Sequence, residues 1–167
     1  DREKLAASHE AAAAKAAEQL AAGRTVALIT LGDATVYSTY LYVHERIKRL
    51  GFETRIVNGI PSFCAAAARL DMPLVNGSQK LHILPASYHI EEALELPGVK
   101  VLMKSGRQMP KVKALLKEKG LEARMVENCG MEGEKTYQSL EEIPDDAGYF
   151  SLLIAESSEE KQGGQRT

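Results

Sequence analysis

Apolar residues recur along the chain with two different spacings. Between residues 34 and 50 they alternate steps of four and three, which predicts one stripe of a helix: Val36, Tyr40, Val43, Ile47 and Leu50. Shorter apolar runs at residues 25–30, "TVALIT", and 52–57, "FETRIV", are typical of strands in a parallel sheet. A further helix in "NGIPSFCAAAARL" would begin at Pro61 and end before Pro73. Strand, helix, strand and helix in this order predict a right-handed parallel crossover.

The rest of the chain follows a different pattern. An Ala-rich helix is predicted before this unit, over residues 1–20, with Gly23 as its C-terminal stop. After it, short strands and helices alternate with turn-like connections, which favours antiparallel pairing. In chain order these are the strands "LHILP" and "VKVLMK" around the short helix "HIEEALELPG", the helix "PKVKALLKEKG", and the strands "EARMVENC", "KTYQSL" and "YFSLLIAE".

The two patterns predict an α/β protein with two α/β domains. The first, residues 1–88, would have a parallel sheet, and the second, residues 89–156, a mixed sheet. The boundary would lie near residues 87–91. The polar residues 157–167, "SSEEKQGGQRT", predict a disordered tail.

Composition narrows the possible partners. The chain has 44% hydrophobic residues and a formal charge of −2, so it lacks the broad basic field that non-specific nucleic-acid or anionic-membrane binding requires. No apolar run approaches the length of a membrane span. Two distant cysteines predict neither a disulfide framework nor a zinc site, and they fit a reducing cytoplasm. We therefore expect a cytoplasmic globular protein without a nucleic-acid or membrane partner.

Gly32 and Asp33 stand where a predicted strand ends and a predicted helix begins. Ligands of open α/β sheets bind at that edge, where glycine permits close approach and helix N–H groups donate hydrogen bonds to a ligand oxygen. Capping of the helix by Asp33 is the simpler interpretation of this stretch alone. Gly59, Pro61 and Ser62 repeat the theme after the second predicted strand, although close helix-to-sheet packing also explains them.

Other chemistry is weakly indicated. The four histidines do not cluster, His44 is expected at the surface or half-buried, and no metal-ligand, acyl-enzyme or nucleotide-phosphate motif is present. A local basic group could bind a carboxylate ligand, or it could be an ordinary solvated surface: Lys104, Arg107, Lys111 and Lys113.

Together, "LITLGDATVYSTYLYVHERI", "GIPSFCAAAARLDMPL" and "VLMKSG" resemble the tetrapyrrole methylase family. The resemblance covers residues 20–156 and implies an enzyme that uses S-adenosylmethionine, with the ligand between two α/β domains. Within that family the blocks imply methylation at C20 of precorrin-2 or cobalt-factor II during cobalamin biosynthesis. A homodimer is the family expectation.

The resemblance also implies roles for individual residues. Expected cofactor contacts are Gly32, Asp33, Val36, Ser38, Thr39, Pro61, Ser62, Met103 and Cys129, and expected substrate contacts are Tyr37, Tyr40 and Tyr88. No catalytic side chain and no metal are expected, because methyl transfer from a sulfonium depends chiefly on positioning. Ala34 replaces the proline of the family's Gly-Asp-Pro loop, which predicts a slightly looser loop.

A second departure concerns the other half of the crevice. The family begins with a strand and a Gly-Pro-Gly-Asp loop, which these residues do not contain. We expect that segment to lie outside this sequence, which would leave the parallel sheet of the first domain incomplete in this chain. Without the segment we expect weak cofactor binding or none. Two rival functions remain open: methylation of RNA or protein by the same fold, and a non-catalytic binding module.

Overall fold

The computed structural model of the protein describes residues 2–86 and 90–157, which fall into two compact units. Unit 1 comprises residues 1–61 and unit 2 comprises residues 62–167. The domain boundary predicted near residues 87–91 lies partly outside the described residues and stays a prediction. Residues 158–167 of the predicted tail also lie outside them.

Two helices pack together in unit 1. Helix α1 spans Arg2–Ala21, as predicted, and Gly23 follows it with a φ of +71°. Helix α2 spans Tyr40–Arg49. Small side chains of α1 let the two helices approach closely, and the buried cluster between them includes Ala13, Ala16, Val43 and Ile47.

Helix α2 begins six residues later than the apolar stripe predicts. Residues 34–37 form turns instead, and the Val36 N–H donates to the Asp33 carbonyl at 3.2 Å. Tyr37 has a φ of +49°, which a right-handed helix cannot accommodate. The prediction of a helix from Ala34 was therefore wrong over its first six positions.

The two strands predicted in unit 1 are also absent from the structure. Residues 25–30 and 52–57 have no ladder partner among the described residues and are irregular. An extended segment becomes a strand only when a neighbour pairs with its N–H and C=O groups. Ile29 is 97% exposed and Val57 is 78% exposed, so neither segment is buried as expected. The predicted parallel crossover does not form in the described part of unit 1.

Unit 2 contains a five-stranded mixed sheet, which confirms the α/β class. Strands β1 and β2 pair in parallel, whereas β5 pairs antiparallel with both β2 and β3, and β4 pairs antiparallel with β3. The spatial order is β1-β2-β5-β3-β4. The strands are β1 Leu81–Pro85, β2 Val99–Met103, β3 Leu121–Glu127, β4 Lys135–Tyr137 and β5 Ser151–Ser157.

Helices cover the sheet of unit 2. They are α3 Ser62–Arg69, α4 Glu91–Leu94 and α5 Met109–Glu118, with a 3₁₀ turn at Gly106–Gln108. Helix α3 packs on β3 and β5, and α5 packs on β3. Leu102, Met125 and Leu153 are fully buried in one cluster with α5, and each contributes roughly 1.5–3 kcal/mol through burial. None of the helices in residues 2–86 and 90–157 is both long and apolar enough to cross a bilayer.

Three strands of unit 2 end at the same side of the sheet. Met103 at the end of β2 pairs with both Pro85 and Leu152, and Glu127 at the end of β3 pairs with Ser151. The C-terminal ends of β1, β2 and β3 therefore lie together beside the start of β5. We call this side the carboxyl edge of unit 2.

Candidate functional site

The Asp33 carboxylate joins two loops of unit 1. Its Oδ1 accepts hydrogen bonds from the Thr35 N–H at 2.8 Å and the Thr35 hydroxyl at 2.5 Å. Its Oδ2 accepts from the Gly59 N–H at 3.1 Å and from Asn58 Nδ2 at 3.3 Å. The carboxylate thus fixes the loop at residues 32–35 against residues 58–59.

These donors stabilise the ionised form of Asp33. The Thr35 hydroxyl and amide, helped by Asn58 and Gly59, lower its pKa from 3.8 to about 2, although burial acts in the opposite direction. The simpler interpretation, in which Asp33 caps α2, was wrong. Thr39 occupies the N-cap position there, without a side-chain capping bond.

Glycine is required where the two loops meet. A Cβ added at Gly59 would lie 2.1 Å from the Gly32 carbonyl oxygen, a contact that the backbone atoms could not tolerate. The loops of the two predicted strand ends therefore do come together, as the edge argument requires. Backbone atoms of Gly32 and Gly59 form this contact, and the Asp33 carboxylate supports it through its hydrogen bond with the Gly59 N–H.

The other predicted site residues of unit 1 lie close along the chain. Val36 and Tyr37 are in the turns before α2, and Thr39 directly precedes it. The Ser38 hydroxyl accepts the Tyr40 N–H at 3.2 Å. Pro61 directly precedes α3, which begins one residue later than predicted. Tyr88 lies outside the described residues.

A groove of about 720 Å³ runs through unit 1 between residues 24–30 and 53–59. Gly32 and Tyr40 line it. His44 lines it too and is buried, contrary to expectation; its Nδ1 lies 3.2 Å from the Tyr40 hydroxyl oxygen. The Thr54 hydroxyl in this groove is buried without a hydrogen-bond partner among the described residues.

Unit 2 carries three further predicted residues. Ser62 begins α3, whereas Met103 ends β2 and Cys129 follows β3, so the latter two lie at the carboxyl edge. Burial and the nearby Glu134 carboxylate raise the pKa of the Cys129 thiol. A thiol held in its neutral form is a poor nucleophile.

The sequence pattern did not identify two residues that hold loops in place, Asn58 in unit 1 and Glu127 in unit 2. Asn58 follows a predicted strand and precedes a glycine, which was an available signal. No local sequence signal marked Glu127. Its Oε1 accepts a hydrogen bond from the Gly148 N–H at 2.6 Å, and its Oε2 accepts one from the Tyr137 hydroxyl at 3.5 Å.

Within residues 2–86 and 90–157, no group of three or more His, Cys, Asp or Glu residues could hold a metal ion.

Residues 1–144 match the family model of tetrapyrrole (corrin/porphyrin) methylases. The chain belongs to the tetrapyrrole methylase family. The match confirms the resemblance carried by the Gly-Asp loop, the "GIPSFCAAAA" block and the β2 segment. The matched residues include both of the loops that Asp33 joins.

Two relatives in this family are 38% identical to the chain. The cobalt-precorrin-2 C(20)-methyltransferase of Salmonella typhimurium aligns over 159 residues, which is 91% of this chain and 66% of the relative. The probable cobalt-precorrin-2 C(20)-methyltransferase of Methanocaldococcus jannaschii aligns over 132 residues, 77% of this chain and 57% of the relative. The matches thus span less than two thirds of either relative.

Solved structures show the same fold at lower identity. The cobalamin biosynthetic enzyme cobalt precorrin-4 methyltransferase, CbiF, superposes with a TM-score of 0.76 at 17% identity, covering 88% of this chain and 70% of that one. A uroporphyrin-III C-methyltransferase from Thermus thermophilus, complexed with S-adenosylhomocysteine, gives 0.58 at 16% identity, covering 75% and 62%.

Proposed function

We propose that the protein is an S-adenosylmethionine-dependent methyltransferase that methylates C20 of precorrin-2 or cobalt-factor II in cobalamin biosynthesis. The observation that carries this proposal is the 38% identity to the Salmonella typhimurium relative over 91% of the chain. The S-adenosylhomocysteine complex of a same-fold enzyme supports the cofactor class.

The residues of unit 1 fit such a cofactor. Both Asp33 oxygens are taken up by protein donors, so Asp33 orients the loop and leaves ligand contacts to backbone and apolar groups. The close approach of Gly32 and Gly59 leaves no side chain between the loops. We assign cofactor contacts to Gly32, the backbone of Asp33, Val36, Ser38, Thr39, Pro61, Ser62, Met103 and Cys129, and substrate contacts to Tyr37, Tyr40 and Tyr88.

Positioning is the chemistry that this chain supplies. S-adenosylmethionine provides an electrophilic methyl group whose leaving group is neutral, so no strong acid is needed. The protein has to align the macrocycle carbon with that methyl group and exclude water. A loop held by a carboxylate that is ionised at neutral pH suits that task better than a flexible loop would.

The proposal includes a cytoplasmic homodimer with no nucleic-acid or membrane partner. The charge of −2 supports a small-molecule substrate over RNA, because RNA phosphates favour a basic face. An RNA or protein methylase and a non-catalytic module of the same fold remain the rival functions.

Methyl transfer with labelled cofactor tests the proposal. The protein, expressed at its full encoded length, is incubated with S-[methyl-¹⁴C]adenosylmethionine and with precorrin-2, cobalt-factor II, or bulk RNA. Label in the tetrapyrrole, located at C20 by NMR, is the expected result. Label in RNA, or cofactor binding without transfer to either tetrapyrrole, would contradict the proposal.

A further inference from the structure

A tight turn follows β2 at the carboxyl edge of unit 2. Lys104 has a φ of +61°, a conformation that non-glycine residues rarely adopt, so the chain changes direction sharply there. Ser105 and Gly106 are buried, and the Gln108 N–H donates to the Ser105 carbonyl at 2.8 Å. The surroundings therefore hold this turn in one conformation.

Backbone contacts fix the turn against the loop before β5. A Cβ at Gly106 would lie 2.2 Å from the Gly148 carbonyl oxygen and 2.7 Å from that of Ala147. Gly148 is held in turn by its hydrogen bond to Glu127, at the end of β3. Arg107, the next residue after Gly106, thus projects from a rigid platform that joins β2, β3 and β5.

Arg107 differs from two other members of the basic group. Lys111 pairs with Glu91 at 2.8 Å, and Lys113 pairs with Asp145 at 2.7 Å, so their charges are already met. Arg107 is exposed and has neither an ion pair nor a hydrogen-bond partner among residues 2–86 and 90–157. Its charge remains available to a ligand.

We propose that Arg107 binds a carboxylate side chain of the tetrapyrrole substrate and so contributes to substrate specificity. The inference rests on the proposed function, since precorrin-2 carries acetate and propionate groups that are ionised at neutral pH. A guanidinium binds a carboxylate through two parallel N–H donors. The fixed turn reduces the conformational entropy lost on binding. Arg107 also lies four residues after Met103, an expected cofactor contact on the same edge.

Steady-state methyl transfer at full encoded length tests this role. We compare the wild type with Arg107→Gln, Arg107→Lys and Lys117→Gln; the last removes the same charge from an exposed position of α5. Arg107→Gln is expected to raise the KM for precorrin-2 about tenfold, with the KM for the cofactor unchanged. Lysine should restore part of the loss, and Lys117→Gln should match the wild type.

The dependence of KM on ionic strength and the activity of the wild type distinguish failure of the Arg107 role from failure of the proposed function. The precorrin-2 KM of the wild type should rise with ionic strength, and that of Arg107→Gln should rise less, which a purely structural role would not produce. Equal KM values for Arg107→Gln and Lys117→Gln in a methylating wild type would overturn the role of Arg107 alone. A wild type that transfers no methyl group to the tetrapyrrole would overturn the proposed function and this inference with it.

Discussion

Asp33 is the residue on which the geometry of unit 1 depends most directly. Four hydrogen bonds reach its two oxygens, from Thr35, Asn58 and Gly59. A carboxylate satisfied in this way acts as an internal brace, because it has little capacity left for a ligand. Its effect on cofactor binding is therefore indirect, through the position of the loop backbone.

Replacing Asp33 with Asn should weaken this brace. In either orientation the amide would present an NH₂ group to a backbone N–H donor, of Thr35 or of Gly59. We expect a melting temperature several degrees lower at pH 7 and weaker S-adenosylmethionine binding, measured by thermal melts and calorimetry.

Acid titration gives this prediction a second readout. The pKa of Asp33 is lowered in the folded state, from 3.8 to about 2, so the ionised form stabilises the protein above pH 3.8. That contribution is lost as pH falls from about 4 to about 2, and Asp33→Asn should lack this part of the decline. Asp71→Asn is the control, since that exposed carboxylate accepts no hydrogen bond within the described chain. Identical acid profiles for the wild type and Asp33→Asn would contradict the brace.

At the scale of elements, the sequence predicted every strand of unit 2 and no correct strand of unit 1. Apolar runs occur in both units, for example at residues 25–30 and in β5. The difference is pairing: β5 has β2 and β3 beside it, whereas residues 25–30 have no partner among the described residues. Periodicity identifies a segment able to form a strand, but the partner strand is a property of the whole sheet.

The candidate site was predicted only where its residues have a local signal in the sequence. Gly32 and Gly59 were identified because a glycine after an apolar run is such a signal. The turns before α2 were missed because the positive φ of Tyr37 has no signal in an apolar pattern that continues through it. Glu127 was missed because its partner, Gly148, is distant in sequence.

The carboxyl edge of unit 2 offers a prediction at this scale. Gly106→Ala should destabilise the protein by about 1–3 kcal/mol, because its Cβ would meet two backbone carbonyls that cannot move freely. Gly148→Ala should cost less, since its Cβ would lie 2.8 Å from the end of the flexible Glu127 side chain. Urea denaturation of both variants measures the difference. Equal losses would mean that the Gly106 turn is not the rigid platform described above.

At the scale of the whole molecule, hydrogen bonding is unevenly distributed between the units. Unit 2 has a continuous ladder across five strands, with Val101, Leu153 and Met125 fully buried. The described part of unit 1 relies on two packed helices and the Asp33 loops, with a groove between its irregular segments. Local opening should therefore require less free energy in those segments of unit 1 than in the sheet of unit 2.

Hydrogen exchange followed by mass spectrometry tests this contrast. Amides of β2, β3 and β5 should exchange slowly, because their donors are paired inside a buried sheet. Amides of residues 25–30 and 52–57 should exchange quickly, because no ladder protects them. Helix α2 provides an internal standard in unit 1, since its helical bonds should give intermediate protection. Slow exchange at residues 25–30 would contradict this expectation and would require a strand that pairs with them in the groove. That strand would come from a second copy of the protein or from another part of the encoded chain. It would also place a neighbour beside the buried Thr54 hydroxyl.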